Sequence, residues 1–252
     1  MSAPMSNRLP TKETFNSLIR SHIILSFCLI LTIVLSITNE SVFSLIKYKL
    51  TLTKLFIFII AAFNLILYRL ILPYECSSQK QFGIFAKVRA VLKNGFLLFC
   101  SSLFFHVIAV LFGAPFLEST AETFHFGMIM SATVTLPVLC VFGTNTSCWI
   151  RVFAQNSPEL GAESVVYFST ICSIFGAWLG AFPIPLDWDR PWQEWPITCV
   201  LGSLLGYCTG VIIGTVYLYE VFIISTMIYH GSLGVFIHAC RGVVIVRSTM
   251  ES

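Results

Sequence analysis

The sequence predicts an all-α integral membrane protein with six transmembrane helices, short loops and an apolar carboxy-terminal extension. Three observations carry that prediction. Of 252 residues, 56% are hydrophobic and 11% charged, whereas charged residues make up about a quarter of a soluble domain. The apolar residues fall into six runs, each near the ~20 residues that cross the hydrocarbon of a bilayer. No interval between the runs is long enough for a soluble domain. The net charge of +3 is small and spread along the chain, so nucleic acid is not an expected partner.

In chain order, residues 1–21 are polar and lack the small-residue cleavage site of a signal peptide. The first apolar run, His22 to Thr38, is therefore read as a retained span. The others run from Thr53 to Leu72, Gly95 to Gly113, Thr123 to Phe142, Ser164 to Phe182 and Ile197 to Tyr219. Residues 1–219 then form one six-span domain. Residues 220–252 are apolar but broken by His230, Gly231 and Gly234; they could form a seventh span, a re-entrant or interfacial segment or an unusual carboxy terminus, and a non-spanning or poorly ordered segment is the favoured expectation. Pro137, inside the fourth run, is expected to kink its helix.

Positive residues stay on the cytoplasmic side of a membrane. With six spans, one face holds Arg8, Lys12, Arg20, Arg69, Lys80, Lys87, Arg89, Lys93, Arg151, Arg241 and Arg247, and the other holds Lys47, Lys49, Lys54 and Arg190. Eleven against four places the amino terminus in the cytoplasm. Two sequons, at Asn39 and Asn145, add nothing: the first is too close to the membrane and the second is cytoplasmic. The nine cysteines sit mostly within spans without C-x-x-C spacing, and act as small hydrophobes.

Polar groups at membrane depth are costly and by default functional. His106 and Asn64 lie within spans, Arg69 near the end of one, and Glu118, Glu122 and His125 at the start of the fourth. The last three could bind metal, or could simply be carboxylates tolerated at a helix amino terminus. No catalytic motif or nucleophile-and-base pair is present, so no catalytic residue, metal or cofactor is expected.

The densest pattern is the hairpin from Gly176 to Gly214. Its loop holds Pro183, Pro185, Pro191 and Pro196, which cannot continue either helix. The loop and its flanks also carry Trp178, Trp188, Trp192 and Trp195, rings that favour the headgroup boundary. Asp187 and Asp189 form a D-x-D, a pattern that holds a metal-bound phosphate in some glycosyltransferases; the alternative is that Asp189 and Arg190 form local pairs and caps that stiffen the turn. Gly202, Gly206, Gly210 and Gly214 then recur every fourth residue, with Gly176 and Gly180 on the helix before. Small residues let helix backbones approach closely in lipid. The row either packs these two helices together or receives a helix from another protein.

Phe105 to Pro115, Glu122 to Gly143, Trp149 to Phe153 and above all GAWLGAFPIPLDWDRPWQEWPI, Gly176 to Ile197, closely resemble the PIG-F family of glycosylphosphatidylinositol (GPI) anchor biosynthesis. The likeness is strong from Phe105 to Gly210 and weaker before. It implies a multi-pass protein of the endoplasmic reticulum membrane, with no catalytic role of its own. Its implied role is to stabilise a large ethanolamine phosphate transferase subunit, PIG-O or PIG-G. Membrane lipid is a second partner and the GPI precursor a further candidate. The loop residues Asp187, Trp188, Asp189, Arg190, Pro191, Trp192 and Trp195 are then partner-binding or structural. The rival reading is a metal-dependent lumenal enzyme acting through Asp187 and Asp189 on a lipid-linked sugar or phosphate. Family members end soon after the sixth span, whereas this chain continues from Thr215 with a long apolar segment.

Overall fold

A computed structural model describes residues 12–38, 48–71, 84–115 and 117–229. The described residues are helical apart from turns and loops: α1 (Lys12–Thr38), α2 (Lys49–Leu65), α3 (Ile84–Leu111), α4 (Thr120–Met130), α5 (Leu136–Phe142), α6 (Thr146–Trp149), α7 (Ala162–Ala181) and α8 (Ile197–Tyr229). Six helical stretches among them are long and apolar enough to cross a membrane, α4 and α5 together forming the fourth. Only helices and closed barrels satisfy every backbone group internally where no water is present, and the apolar runs take the first solution. The expected boundaries shift in two places. The third helix begins at Ile84, before Gly95, and α8 runs unbroken past Tyr219 to Tyr229. Arg69's side chain, Asn39 and the glycine-containing stretch after His230 lie outside the described residues.

The chain divides after Gly214 into two units. In the first, the fourth span lies at the centre: 72% of it is buried, and it packs against α2, α3 and α7. Leu25, Leu29 and Ile33 line the covered side of α1, and Leu52, Phe56, Ile60 and Asn64 that of α2, each set at the four-residue spacing of one helix face. In the second unit, the described chain is the rest of α8, where Thr226 donates to the carbonyl of Phe222 at 2.8 Å.

The expected kink at Pro137 has a specific form. A π turn, Ser131–Thr135, separates α4 from α5, and the proline occupies the first turn of α5, where its missing N–H is not needed. Widening the helix there aims hydroxyls at two neighbours. Ser131 donates to the carbonyl of Leu98 at 2.9 Å, Thr135 pairs with Ser101 on α3, and Thr133 accepts from Ser173 on α7 at 2.9 Å. Ser173 also meets Ser203 of α8 at 3.0 Å. The π turn thus ties two helices, α3 and α7, to the central one, and α8 through Ser173, with side chains that would be costly if left alone in lipid.

Two further polar pairs bridge distant parts of the chain inside the bundle. The hydroxyl of Tyr207 donates to Asn64 Oδ1 at 3.0 Å, while Asn64 Nδ2 donates to the carbonyl of Ile60 at 2.9 Å. His22 Nδ1 lies 2.7 Å from the carbonyl of Leu18, which can only accept, so Nε2 is left to accept from the hydroxyl of Tyr68 at 3.0 Å. Asn64, singled out from the sequence as an intramembrane polar group, is fully buried and paired.

Candidate functional site

The loop between α7 and α8 is built around one side chain that sequence reasoning passed over. Gln193 is 8% exposed. Its amide donates to the carbonyls of Pro183 at 2.7 Å and Leu186 at 2.8 Å, and its oxygen accepts the backbone N–H of Arg190 at 2.9 Å. Three of the four bonds an amide can make are thereby used to close the loop on itself. Prolines 183, 185 and 191 cannot donate, so a side chain has to supply the cross-links that backbone N–H groups would otherwise make. A neutral amide among rings and prolines is the sequence signal that could have found it. Asp189 adopts φ +47, a left-handed conformation that short polar side chains tolerate. Asp189 and Arg190 do not pair with each other, but Arg190 does cap the turn, its backbone N–H donating to Gln193, and it is Gln193 that stiffens the loop.

The loop is also fastened to the bundle below. The indole N–H of Trp195 donates to Thr123 Oγ1 at 2.9 Å, and its ring meets Phe126 edge-on with centroids 5.3 Å apart. Glu194 takes Lys49 Nζ at 2.8 Å, and the same ammonium lies 3.8 Å from Glu122. The starts of α2 and α4 and the loop therefore share one end of the bundle, as a serpentine of spans requires. Glu118, Glu122 and His125 do not converge: Glu122 faces Lys49, His125 Nδ1 donates to the carbonyl of Ala121, and Glu118 is exposed. Among the described residues no three His, Cys, Asp or Glu side chains are placed to hold a metal ion.

With Gln193, Trp195 and Pro196 turned inward, the tip of the loop faces out. Trp188 is 55% and Trp192 37% exposed, and their rings meet edge-on with centroids 5.8 Å apart. Leu186, Asp187, Asp189, Arg190 and Pro191 are exposed around them. An open hollow of about 630 Å³ runs beside Leu186, Asp187, Asp189, Arg190 and Glu194. The arrangement offers two aromatic rings and an acidic edge on a cross-linked backbone. Among these residues no nucleophile stands beside a base.

Below the loop, α7 and α8 meet backbone to backbone. A Cβ on Gly176 would meet the carbonyl of Gly202 and come within 3.0 Å of Gly206 Cα; one on Gly180 would lie 2.9 Å from Cys199 Cα; one on Gly206, against the carbonyl of Cys172; one on Gly210, 2.5 Å from Ser169 Cα; one on Gly214, 2.7 Å from Val165 Cα. Gly202 meets Gly176 and Gly180 in return. The small-residue row of each helix is thus filled by the backbone of the other.

At the opposite end a second ionic group fixes the start of α7. Glu163 is fully buried and accepts two bonds from Arg151 Nη2, both at 2.9 Å, and a third from the N–H of Glu159 at 2.9 Å. Arg151 also donates to the carbonyl of Ser157 and lies 3.4 Å from Glu159. Partial burial opposes the arginine's charge, but the hydrogen bonds and charge of Glu163, with Glu159 beside it, outweigh that and raise its pKa. Sequence reasoning counted Arg151 as a cytoplasmic charge and did not single out Glu163. Nothing local to either residue marks them as a pair.

No solved structure matches the chain. A human protein named "GPI ethanolamine phosphate transferase, stabilizing subunit" is 40% identical over 202 residues, 80% of this chain and 91% of its own length. The mouse protein of the same name is 40% identical over 177 residues, 70% of this chain and 80% of its own. A "Glycosylphosphatidylinositol anchor biosynthesis protein 11" of Yarrowia lipolytica is 43% identical over 117 residues, 45% of this chain and 51% of its own. The family described as "GPI biosynthesis protein family Pig-F" matches residues 12–215, ending one residue past the last glycine of the α7–α8 seam. The six-span bundle with its cross-linked aromatic loop therefore belongs to the Pig-F family of GPI biosynthesis proteins.

Proposed function

We propose that this chain is a non-catalytic subunit of the endoplasmic reticulum ethanolamine phosphate transferase, one that holds the large catalytic subunit, PIG-O or PIG-G, in a stable form. The observation that carries the reading is 40% identity with a human stabilizing subunit over 91% of that relative's length. The loop supports it. A backbone closed by Gln193 and fastened by Trp195 loses little conformational freedom on binding, which is the main cost of ordering an interface. It presents Trp188 and Trp192, and tryptophan is the residue type most enriched among interface anchors. The charge asymmetry of the spans supports an amino terminus in the cytoplasm and this loop in the lumen, on the side of the transferase chemistry. Asp187, Asp189 and Arg190 then form the polar rim of the contact.

The test is to purify the chain in mild detergent and to measure co-purified transferase together with GPI-anchored protein at the cell surface. Trp188→Ala or Trp192→Ala should lower transferase recovery and surface GPI-anchored protein together, by the ~2 kcal/mol typical of a lost aromatic anchor. Asp187→Asn and Asp189→Asn should be mild in both. An Asp189→Asn variant with normal transferase recovery and no activity would mean that the loop takes part in the chemistry. Orientation is read by Asp187→Cys, since Asp187 is exposed: an impermeant thiol reagent should label it only after the lumen is opened, and labelling in sealed microsomes would reverse the topology.

A further inference from the structure

Residues 215–252 form the second of the chain's two units, which begins where the family match ends. Its described part is the end of a helix longer than a membrane requires. α8 has 33 residues, about 50 Å at 1.5 Å per residue, against ~30 Å of hydrocarbon. Counted from the loop, and even at the ~20° tilt common among spanning helices, about 12 residues are left over. The extra turns of α1 and α3 carry charge, as Lys12, Glu13 and Arg20 in one and Lys87, Arg89 and Lys93 in the other. The surplus of α8 does not: residues 221–229 read VFIISTMIY.

Val216, Tyr217, Glu220 and Ile224 fall on one side of this part of α8, at the spacing of a helix face, and all four are exposed. Glu220 is the one charged residue of the whole helix. It pairs with no cation among the described residues. Past the hydrocarbon an apolar stripe meets water unless something covers it, and a carboxylate within the covered area needs a cation. The next residues of the chain supply both. After Tyr229 come His230 and Gly231, and glycine one place beyond the cap is the commonest helix stop. Gly234 completes a five-residue link, a length that joins antiparallel helices. Residues 235–246 then read VFIHACRGVVIV, twelve residues with Arg241 as their one Lys or Arg, too few to cross a bilayer.

We propose that residues 235–246 fold back on α8 as an antiparallel helix, covering its apolar stripe through Ile224 and setting Arg241 against Glu220. The lengths agree, since twelve helical residues cover about 18 Å, the length of the surplus. The register agrees as well. With residue 235 opposite Tyr229, Arg241 stands opposite Ile223, about 4.5 Å along the axis from Glu220 and within reach of an arginine side chain. In water, burial of apolar surface joins the two segments, as it cannot in lipid, and the ion pair sets where they stop. This contact lies at the end of α8 away from the loop and does not depend on the proposed function.

The test uses the full chain in microsomes, with a photo-cross-linking benzophenone side chain at Ile224 or, for comparison, at Tyr219, which is as exposed but about 140° away round the helix. An intrachain adduct mapped to residues 235–246 is expected from Ile224, with far less from Tyr219. Adducts from Ile224 only with lipid, with another protein or with a second copy would overturn the proposal, as would equal yields from the two positions. The second arm exchanges the charges and reads the rate of chymotrypsin cleavage within residues 230–252. Glu220→Arg and Arg241→Glu should each speed it about twofold to fivefold, the range of an exposed ion pair, and the two together should restore the parental rate. A double variant cleaved as fast as either single one would show that Arg241 does not meet Glu220, and the proposed register would fall.

Discussion

α7 and α3 are both long apolar helices, of 20 and 28 residues, and hydropathy alone would treat them alike. The fold does not. α7 is fixed along its length: by the Arg151–Glu163 pair at its start, by Ser173 and the glycine seam in its middle, and by the Gln193 loop at its end. α3 is held on one side only, and a Cβ at its Gly95 would meet nothing within 4 Å. The difference shows what joins helices in lipid. Burying a leucine against another helix gains little over burying it against acyl chains, so apolarity cannot choose neighbours. What chooses is where backbones can touch and where polar groups can meet. α7 has both along its length; α3 has them only toward α4 and the π turn, where Gly127 meets its backbone and Ser101 pairs with Thr135, and shows phenylalanine, leucine and valine on its outer side.

The strongest way to break that contrast is at the start of α7. Glu163→Gln should cost about 3 kcal/mol, the low end for splitting a buried ion pair, because Arg151 is 28% exposed and keeps Glu159 nearby. Thermal unfolding in detergent, followed by size-exclusion fluorescence, reads it; a melting temperature equal to the parent would mean that the pair does not secure α7. Next in size is the seam. Gly206→Leu should cost about 2 to 3 kcal/mol, the upper part of the overpacking range, because backbone atoms of α7 cannot swing aside as a side chain can. Gly206→Ala should already cost about 1 kcal/mol by the same reasoning, since the intruding atom is the Cβ itself. If Ala there proves as stable as Gly, the helices do not touch as closely as described. The smallest effect sharpens the comparison from the other side: Gly95→Ala on α3 should gain roughly 0.5 to 1 kcal/mol, since a glycine inside a helix gives up conformational entropy without being needed for contact.

Much of this architecture is legible in the chain. Six spans can be counted because hydropathy is a local sum, readable in any window of about 20 residues without knowing what lies beside it. The loop's stiffness is legible in its prolines, and the glycine row marks a close approach because a residue without a side chain permits the closest one. The sequence could not name what approaches. Gly206 reads the same whether it meets Cys172 of this chain or a helix of another, and only the placement of α7 against α8 decides between them.

Sequence alone thus determined the fold class, the number of spans, the place of the rigid loop and the family. Tertiary structure decided which polar groups answer one another. Asn64 finds Tyr207 143 residues away, Trp195 finds Thr123 72 residues away, and Lys49 joins Glu194 to Glu122. The π turn before Pro137 belongs to the same class, since its hydroxyls have value only where α3 and α7 stand ready to receive them. The physical reason is range. Transfer of a side chain into lipid is a property of that side chain, whereas a hydrogen bond or a backbone contact is a property of two places that the chain brings together only by folding.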